Sequence, residues 1–309
     1  TRRSSDLSIL NRIEVACNRD RIDRIGLSAT LGDMRLAAEA LRPRYSGSVT
    51  IVEGIDPGNG VQLQIRGYAI NQADKITSQA MSDAEDAAPS DAAEPDDEVP
   101  RVPKAVAKDL FRMLRGKTNL LFAGSRDRVE LYADTLREMC EADSLPNEFF
   151  PHHDNLARDV REDLELRLRE DPRPTTAVAT TTLELCIDIG DVDSVAQIGP
   201  GVSVASLRQR LGRSGRRAGR PAAMRIFALE PKLGEGMHPI DRLRLGLVQA
   251  IAMVRCLENG WCEPPALAGL HLSTLVHQVL AVICQTGGVK PNSAWRLLCQ
   301  RGPFWTVDK

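Results

Sequence analysis

Five arginines and two glycines fall within ten residues in the stretch RQRLGRSGRR, residues 208–217. A guanidinium is planar and permanently charged, so clustered arginines suit phosphate oxygens. Arg210, Arg213 and Arg216 recur every three residues, which on a helix places them on one broad face. Gly212 and Gly215 interrupt that face. A solvated basic patch has no need of glycines there, whereas close approach of a backbone or ligand does. The spacing therefore favours phosphate work over plain surface charge. A second stretch, ATTTLELCIDIGDVD over 179–193, offers threonine hydroxyls and loop amides of the kind that contact phosphates. Asp188 within it can accept a ribose hydroxyl, although an ordinary strand-to-helix turn fits the same residues.

Other clusters carry less. Gly116-Lys117-Thr118 has the ending of a phosphate-binding loop, but that loop needs a glycine at position 111, which is Phe111. The order is also inverted, because a helical pattern precedes it and an apolar strand pattern follows. Residues 95–99, PDDEV, resemble a magnesium-binding acidic box but sit inside a long acidic run. His152 and His153 are adjacent, and neighbours on a strand point to opposite faces, so they read as structural residues and not as a metal pair. Seven cysteines include no C-x-x-C pair and fit no zinc spacing, which predicts buried, reduced thiols in a cytoplasmic protein and no metal site.

These residues need elements to hold them. The length of 309 residues suits one large or two medium domains, and 42% hydrophobic content supports real cores. No apolar run is long enough to cross a membrane. The N-terminus carries no signal-peptide pattern and no initiator Met, so a piece of a longer protein is expected. Residues 82–100 hold eight acidic residues and no basic one, and without them the chain has 40 basic against 34 acidic side chains. That stretch reads as a disordered linker, and the remainder as mildly basic and compatible with a polyanionic partner.

Ahead of the linker, Leu7, Leu10, Ile13 and Val15 suggest an amphipathic helix. Residues 24–30 read as a short buried strand, and 49–55 and 61–70 as further strands. Beyond it, apolar strand runs at 119–125, 147–153, 175–180, 192–199 and 222–230 alternate with helical patterns at 127–142, 157–171 and 203–212, with Asp127 as an expected N-cap. That alternation predicts an α/β fold with a parallel sheet and helices on both faces, and ligands at the carboxyl ends of the strands. Those ends carry Ser125-Arg126 and Thr180-Thr181-Thr182. From about 233 the pattern becomes all-helical, over 239–260, 272–288 and 291–302.

Taken in order, LSATLGD, LLFAGSR, HHDNLARDVREDLE, ATTTLELCIDIGDVD and QRLGRSGRR resemble motifs III to VI of superfamily 2 DEAD/DEAH-box helicases, most closely the large-helicase-related (Lhr) branch. The resemblance covers most of the chain outside the acidic run. It implies a RecA-like parallel sheet followed by a winged-helix-like all-α region. The implied segments are the C-terminal part of a first motor domain over 1–80, the linker over 81–102, a second motor domain over 103–232, and the start of a winged helix over 233–309. By the resemblance, Ser28 and Thr30 couple nucleotide state to nucleic-acid binding, and Ser125, Arg126, Thr180 and Thr181 touch the nucleic-acid backbone. Asp188 then meets the nucleotide ribose, with Gly212 and Gly215 close to the nucleotide. Gln209, Arg213 and Arg216 face ATP, the two arginines as fingers. Arg208, Arg217 and Arg220 have no such role and read as solvated or facing nucleic acid.

The implied ligands are ATP, Mg2+ and single-stranded or partly duplex nucleic acid, with DNA favoured, DNA repair as a setting, and movement 3′ to 5′. The chain contains no phosphate-cradling loop and no Asp-Glu box, so the upstream remainder of the first motor domain is an expected partner, magnesium ligands are expected there, and this chain alone is expected to be inactive. Two departures stand out: Cys186 and Asp154 replace glycines of the family pattern. An RNA or RNA–DNA hybrid helicase remains an alternative substrate reading, and a non-catalytic nucleic-acid-binding module an alternative class.

Overall fold

Short apolar runs bounded by polar turns cannot satisfy their backbone alone and must pair. The computed structural model describes residues 2–19, 21–28, 32–42, 45–52, 60–70, 101–184, 189–216, 219–234, 237–264, 271–300, 302–305 and 307. Its six described strands are β1 (Val61–Ile70), β2 (Asn119–Phe122), β3 (Phe149–His152), β4 (Thr176–Ala179), β5 (Ser194–Ile198) and β6 (Ala222–Pro231). They form one sheet in the order β1-β6-β5-β2-β4-β3, with every pairing parallel. This is the RecA-like α/β sheet that the sequence implied.

Strand alternation assigns the two faces. Leu121, Phe149, Val178, Ala196 and Phe227 point to one side, where α3 (Lys104–Leu114) and α4 (Arg126–Ala142) cover them with Val106, Leu110, Leu114, Val129, Tyr132 and Leu136. Phe122, Phe150 and Gln197 point to the other. There Arg167 of α5 (Arg158–Glu170) stacks over Phe150, and Arg210 of α6 (Val204–Leu211) over Phe122. Helices therefore lie on both faces, as expected.

The chain divides into two compact units. One joins residues 1–55 to 262–309, and the other is 56–261, which contains the whole described sheet. β1 was expected within the first segment, 1–80. It pairs instead along its full length with β6, from Val61 beside Ala222 to Ile70 beside Pro231. Both strands are ten residues long, so the match leaves no stretch of β6 unpaired on that side.

The N-terminal unit corrects three expectations. Residues 24–28 form no strand, and Ile25 and Leu27 are almost fully exposed, at 87% and 92%. Residues 49–52 form no strand either. Helix α1 (Arg2–Ala16) exists, but its buried side is polar: Ser8, Asn11 and Glu14 are buried, while Leu10, Ile13 and Val15 are exposed. The reason is a charge cluster. Glu14 accepts from Arg42 at 2.7 Å, Arg24 at 3.0 Å and the Ile22 amide at 3.1 Å, and Arg24 also reaches Asn11 Oδ1 at 2.6 Å. Burial pushes the Glu14 carboxyl upward, but the Ile22 amide and the two guanidinium groups outweigh it and hold it below the ordinary value. The same unit holds α2 (Met34–Leu41), capped by Asp33, and α7 (Leu272–Thr286) with α8 (Pro291–Trp295), whose core is Val282, Leu298, Cys299 and Phe304.

The 82–100 run lies outside the described residues. Among the described cysteines all six are free, and only Cys140, Cys262 and Cys299 are buried, fewer than expected. Among the described residues no single helix is long and apolar enough to cross a membrane.

One polar group fixes strand register at the centre of the sheet. Asn119 is fully buried; its amide nitrogen reaches Leu114 O at 2.6 Å and Thr176 Oγ1 at 3.1 Å, and its oxygen accepts from Ser194 Oγ at 2.8 Å. It thereby ties β2 to β4, to β5 and to the end of α3. Replacing one member of a satisfied buried network strands the others. Asn119→Leu is expected to destabilise the chain by about 2–4 kcal/mol, measured by urea unfolding followed by circular dichroism.

Candidate nucleic-acid and nucleotide-facing site

The carboxyl ends of β2, β3 and β4 lie side by side, because Phe122 and His152 both register with Ala179. Each chain leaves its strand there into a polar turn. After β2, Gly124 adopts φ +95, and Ser125 then caps α4 by accepting from the Arg128 amide at 3.4 Å. Ser125, not the expected Asp127, is therefore the N-cap; Asp127 sits in the first turn, where its charge favours the helix dipole. Arg126 is exposed on the same rim.

After β4 the chain enters a tight turn, Thr181–Leu183. The Thr180 amide donates to His152 O at 3.3 Å, and Thr180 Oγ1 stands 3.4 Å from Thr182 Oγ1. Thr181 is exposed. His152 is fully buried, with Nδ1 2.9 Å from Thr182 Oγ1 and Nε2 3.0 Å from Glu165 Oε1. His153 faces a different carboxylate, Glu130, at 2.6 Å. The two histidines do not converge. Asp154, where the family pattern has glycine, does not adopt a positive φ, so its side chain causes no backbone strain there.

The arginine stretch departs from a continuous helix. α6 ends at Leu211, with Gly212 as its cap, and only Arg210 of the three spaced arginines lies within it. Arg213 and Arg216 lie beyond the cap, on a turn that Ser214 stitches to Val192. The Val192 amide donates to Arg213 O at 3.3 Å, and the Arg216 amide to Asp191 Oδ1 at 3.1 Å. The two glycines differ in purpose. Gly212 has an ordinary φ of −65 and space for a side chain. Gly215 adopts φ +72, and a Cβ there would stand 2.4 Å from the Ala222 nitrogen. The close approach it permits is to the chain's own β6.

The arginines are equally unlike one another. Arg210 is buried, pairs with Glu184 at 2.9 Å, donates to Gln197 Oε1 at 3.1 Å and lies 4.5 Å over the Phe122 ring. Arg213 is also buried and donates to the Glu184 carbonyl at 2.8 Å. Arg216 is exposed, with Nε donating to Gly212 O at 3.0 Å. Gln209 is half-buried, Arg208 is exposed, and Arg220 pairs with Asp193 at 2.7 Å. Glu184 thus joins the threonine turn to the arginine turn, its carboxylate on one arginine and its carbonyl on the next.

Residues 103–218 match the helicase conserved C-terminal domain family. The ATP-dependent helicase Lhr-Core of Saccharolobus solfataricus is 35% identical over 117 residues, which is 37% of this chain and 13% of that protein. The Lhr helicase/probable uracil glycosylase of Mycolicibacterium smegmatis is 43% identical over 131 residues, 42% of this chain and 8% of that protein. Among solved structures, Mycobacterium smegmatis helicase Lhr bound to ssDNA and AMP-PNP superposes with a TM-score of 0.71 at 24% identity, covering 100% of this chain and 35% of that one. The DUF1998 helicase MrfA bound to DNA superposes with a TM-score of 0.59 at 19% identity, covering 96% of this chain and 36% of that one. Residues 103–218 thus match a helicase conserved C-terminal domain and are similar to the corresponding part of Lhr-type helicases.

Within this domain, the structure brings Ser125, Arg126, Thr180 and Thr181 to one rim and Arg213, Gly215 and Arg216 to one turn, with Gln209 on the preceding helix α6. Asp188, Cys186 and Thr30 lie outside the described residues. Ser28 is exposed and belongs to the other unit. Sequence reasoning missed Glu184, Glu165 and the buried role of Arg210. A signal existed for the first: Glu184 stands between Leu183 and Leu185, and a charge inside an apolar run requires a partner.

Breaking a buried pair from one side leaves the other charge uncompensated. Arg210→Met in this chain is expected to cost about 3–5 kcal/mol. Arg216→Ala, at an exposed position, is expected to stay within about 0.5 kcal/mol of the parent. Paired thermal or urea unfolding curves would show the contrast, and equal losses would contradict the packing described.

Proposed function

We propose that this chain is part of an ATP-dependent nucleic-acid translocase, acting 3′ to 5′ on DNA, in which the helicase C-terminal domain supplies the arginine half of the ATP site. The observation that carries this reading is the double duty of Glu184. One residue links the hydroxyl-bearing turn at Thr180–Thr181 to the turn that carries Arg213 and Arg216. A change in what Arg213 and Arg216 touch is thereby passed mechanically to the nucleic-acid rim.

In this reading Arg216 is the finger nearest to readiness, because its guanidinium is exposed on a fixed turn. Its planar charge would stabilise the negative charge that develops on the γ-phosphate oxygens during hydrolysis. Arg213 would have to exchange the Glu184 carbonyl for a phosphate oxygen, and Gln209, on the helix before the turn, would face the same nucleotide. Phosphate-cradling and Mg2+-binding groups belong to a first motor domain, and the isolated chain would not hydrolyse ATP. Ser125, Arg126, Thr180 and Thr181 would hold backbone phosphates, with the Ser125 hydroxyl proton free to donate while its oxygen caps α4. The ssDNA and DNA bound to the Mycobacterium smegmatis Lhr and MrfA structures support DNA as the strand. The helical segment after 233 would begin a winged-helix region, and reduced thiols suit a cytoplasmic setting.

Two measurements test the proposal. In a longer protein that includes the upstream motor domain, Arg216→Ala is expected to lower DNA-stimulated ATP hydrolysis by on the order of a thousandfold with unchanged stability. Hydrolysis by the isolated chain, abolished by that same change, would overturn the half-site reading. For the rim, Arg126→Ala is expected to weaken single-stranded DNA binding and to reduce the slope of log affinity against log salt by about one. Preference for an RNA strand of the same sequence would replace DNA as the substrate.

A further inference from the structure

The helicase domain contains a buried histidine that the phosphate chemistry above does not use. His152 ends β3 and is fully buried, yet every polar atom of its side chain is engaged. Glu165 of α5 takes Nε2 at 3.0 Å, and Thr182 takes Nδ1 at 2.9 Å. Its main-chain oxygen accepts from the Thr180 amide at 3.3 Å and lies 3.5 Å from Thr182 Oγ1. One residue therefore ties down both ends of the short stretch that presents Thr180 and Thr181. We propose that His152 is a positioning residue for the nucleic-acid rim, holding the Thr180–Thr182 turn in its presenting geometry through a carboxylate–imidazole–hydroxyl chain anchored on Glu165.

The chemistry fixes the direction of that chain. A carboxylate only accepts, so Nε2 must carry the proton. In the neutral ring Nδ1 is then a bare acceptor, and the Thr182 hydroxyl must donate to it. Thr182 Oγ1 keeps its lone pairs for the Thr180 hydroxyl at 3.4 Å, a long contact that orients more than it binds. Protonation at Nδ1 would reverse the strong link. The ring would then donate to Thr182 Oγ1, the Thr182 hydroxyl would turn its proton elsewhere, and that oxygen would keep one lone pair fewer for the Thr180 hydroxyl.

The surroundings hold His152 neutral. Burial lowers its pKa, and Arg161 acts in the same direction; Glu165 opposes both and does not overcome them. Glu165 and Arg161 are the charged groups that face it from α5. Glu130 of α4, the other packed helix, is committed to His153. The neutral arrangement therefore holds at neutral pH, and the direction of the Thr182 link reverses only below the ordinary histidine range.

This inference rests on the rim being a nucleic-acid surface, so its test has one arm that does not. In the full chain labelled with 15N-histidine, the His152 ring is expected as the Nε2–H tautomer, assigned by its loss in His152→Asn, with a titration midpoint below that of an ordinary histidine. Thr182→Val, which keeps the shape and removes the hydroxyl, should shift the Nδ1 resonance alone. A charged ring at neutral pH, or an Nδ1 resonance indifferent to Thr182→Val, would overturn the positioning role whatever the chain binds. The second arm reads binding of single-stranded DNA of mixed sequence. Thr182→Val and His152→Asn are each expected to weaken it about fivefold, the loss of one hydrogen bond's orientation, and the double variant no further. Additive losses, or a wild-type pH profile in Thr182→Val, would contradict the chain. If the parent chain binds no DNA while the ring shows the expected tautomer, the functional reading fails and the lock on the turn stands.

Discussion

The buried pair between Arg210 and Glu184 is the contact on which the site's geometry depends. Desolvating two charges costs several kcal/mol per ion, and attraction alone rarely returns it. The structure offsets that cost with every remaining donor and acceptor in reach: Gln197 Oε1 takes one guanidinium nitrogen and the Phe122 ring accepts the guanidinium face. Gln197 and Phe122 belong to β5 and β2, the central strands of the sheet. Glu184 is therefore positioned from the core outward, and its carbonyl is delivered to Arg213 at 2.8 Å by that placement.

A rigid centre with short polar turns around it fits the task proposed for this domain. Movement along a strand needs contacts that change together, and packed elements change discretely because they do not deform continuously. The Thr180 turn is pinned on one side by His152 and on the other by Glu184. The Arg213–Arg216 turn is pinned to 191–192 by one main-chain bond and by the Asp191 carboxylate, and by Gly215 against β6. The side chains free to act are the ones left exposed on these turns, Thr181 and Arg216, while their backbones are held.

Much of this was readable before any coordinates, and the reasons are uneven. The strands at 119–122, 176–179 and 194–198 were legible because a central parallel strand is apolar on both faces and short, and those at 149–152 and 222–231 because apolar runs there follow or precede helical patterns. The two candidate stretches stood out because they gather hydroxyls at a strand end and arginines with glycines, and both prove to be polar turns next to the sheet. The first unit was not. The apolar residues Leu10, Ile13 and Val15 marked a helix correctly but pointed to the wrong buried face. An ion cluster formed by Glu14, Arg24 and Arg42, distant in sequence, outweighed periodicity, and pattern reasoning sees only neighbours.

The arginine spacing shows the same limit more finely. A repeat of three suggested one face of one helix, yet the helix stops at Leu211. The stop separates roles that spacing had merged. Arg210, inside the helix, points into the sheet and becomes structural. Arg213, one turn on, is aimed at a carbonyl by the break after Gly212. Arg216 is exposed just after Gly215, which at φ +72 packs the chain tightly against β6. Three chemically identical side chains are thus sorted into anchor, link and free cation by where a short helix ends. The glycines matter for that sorting more than for making room for a ligand.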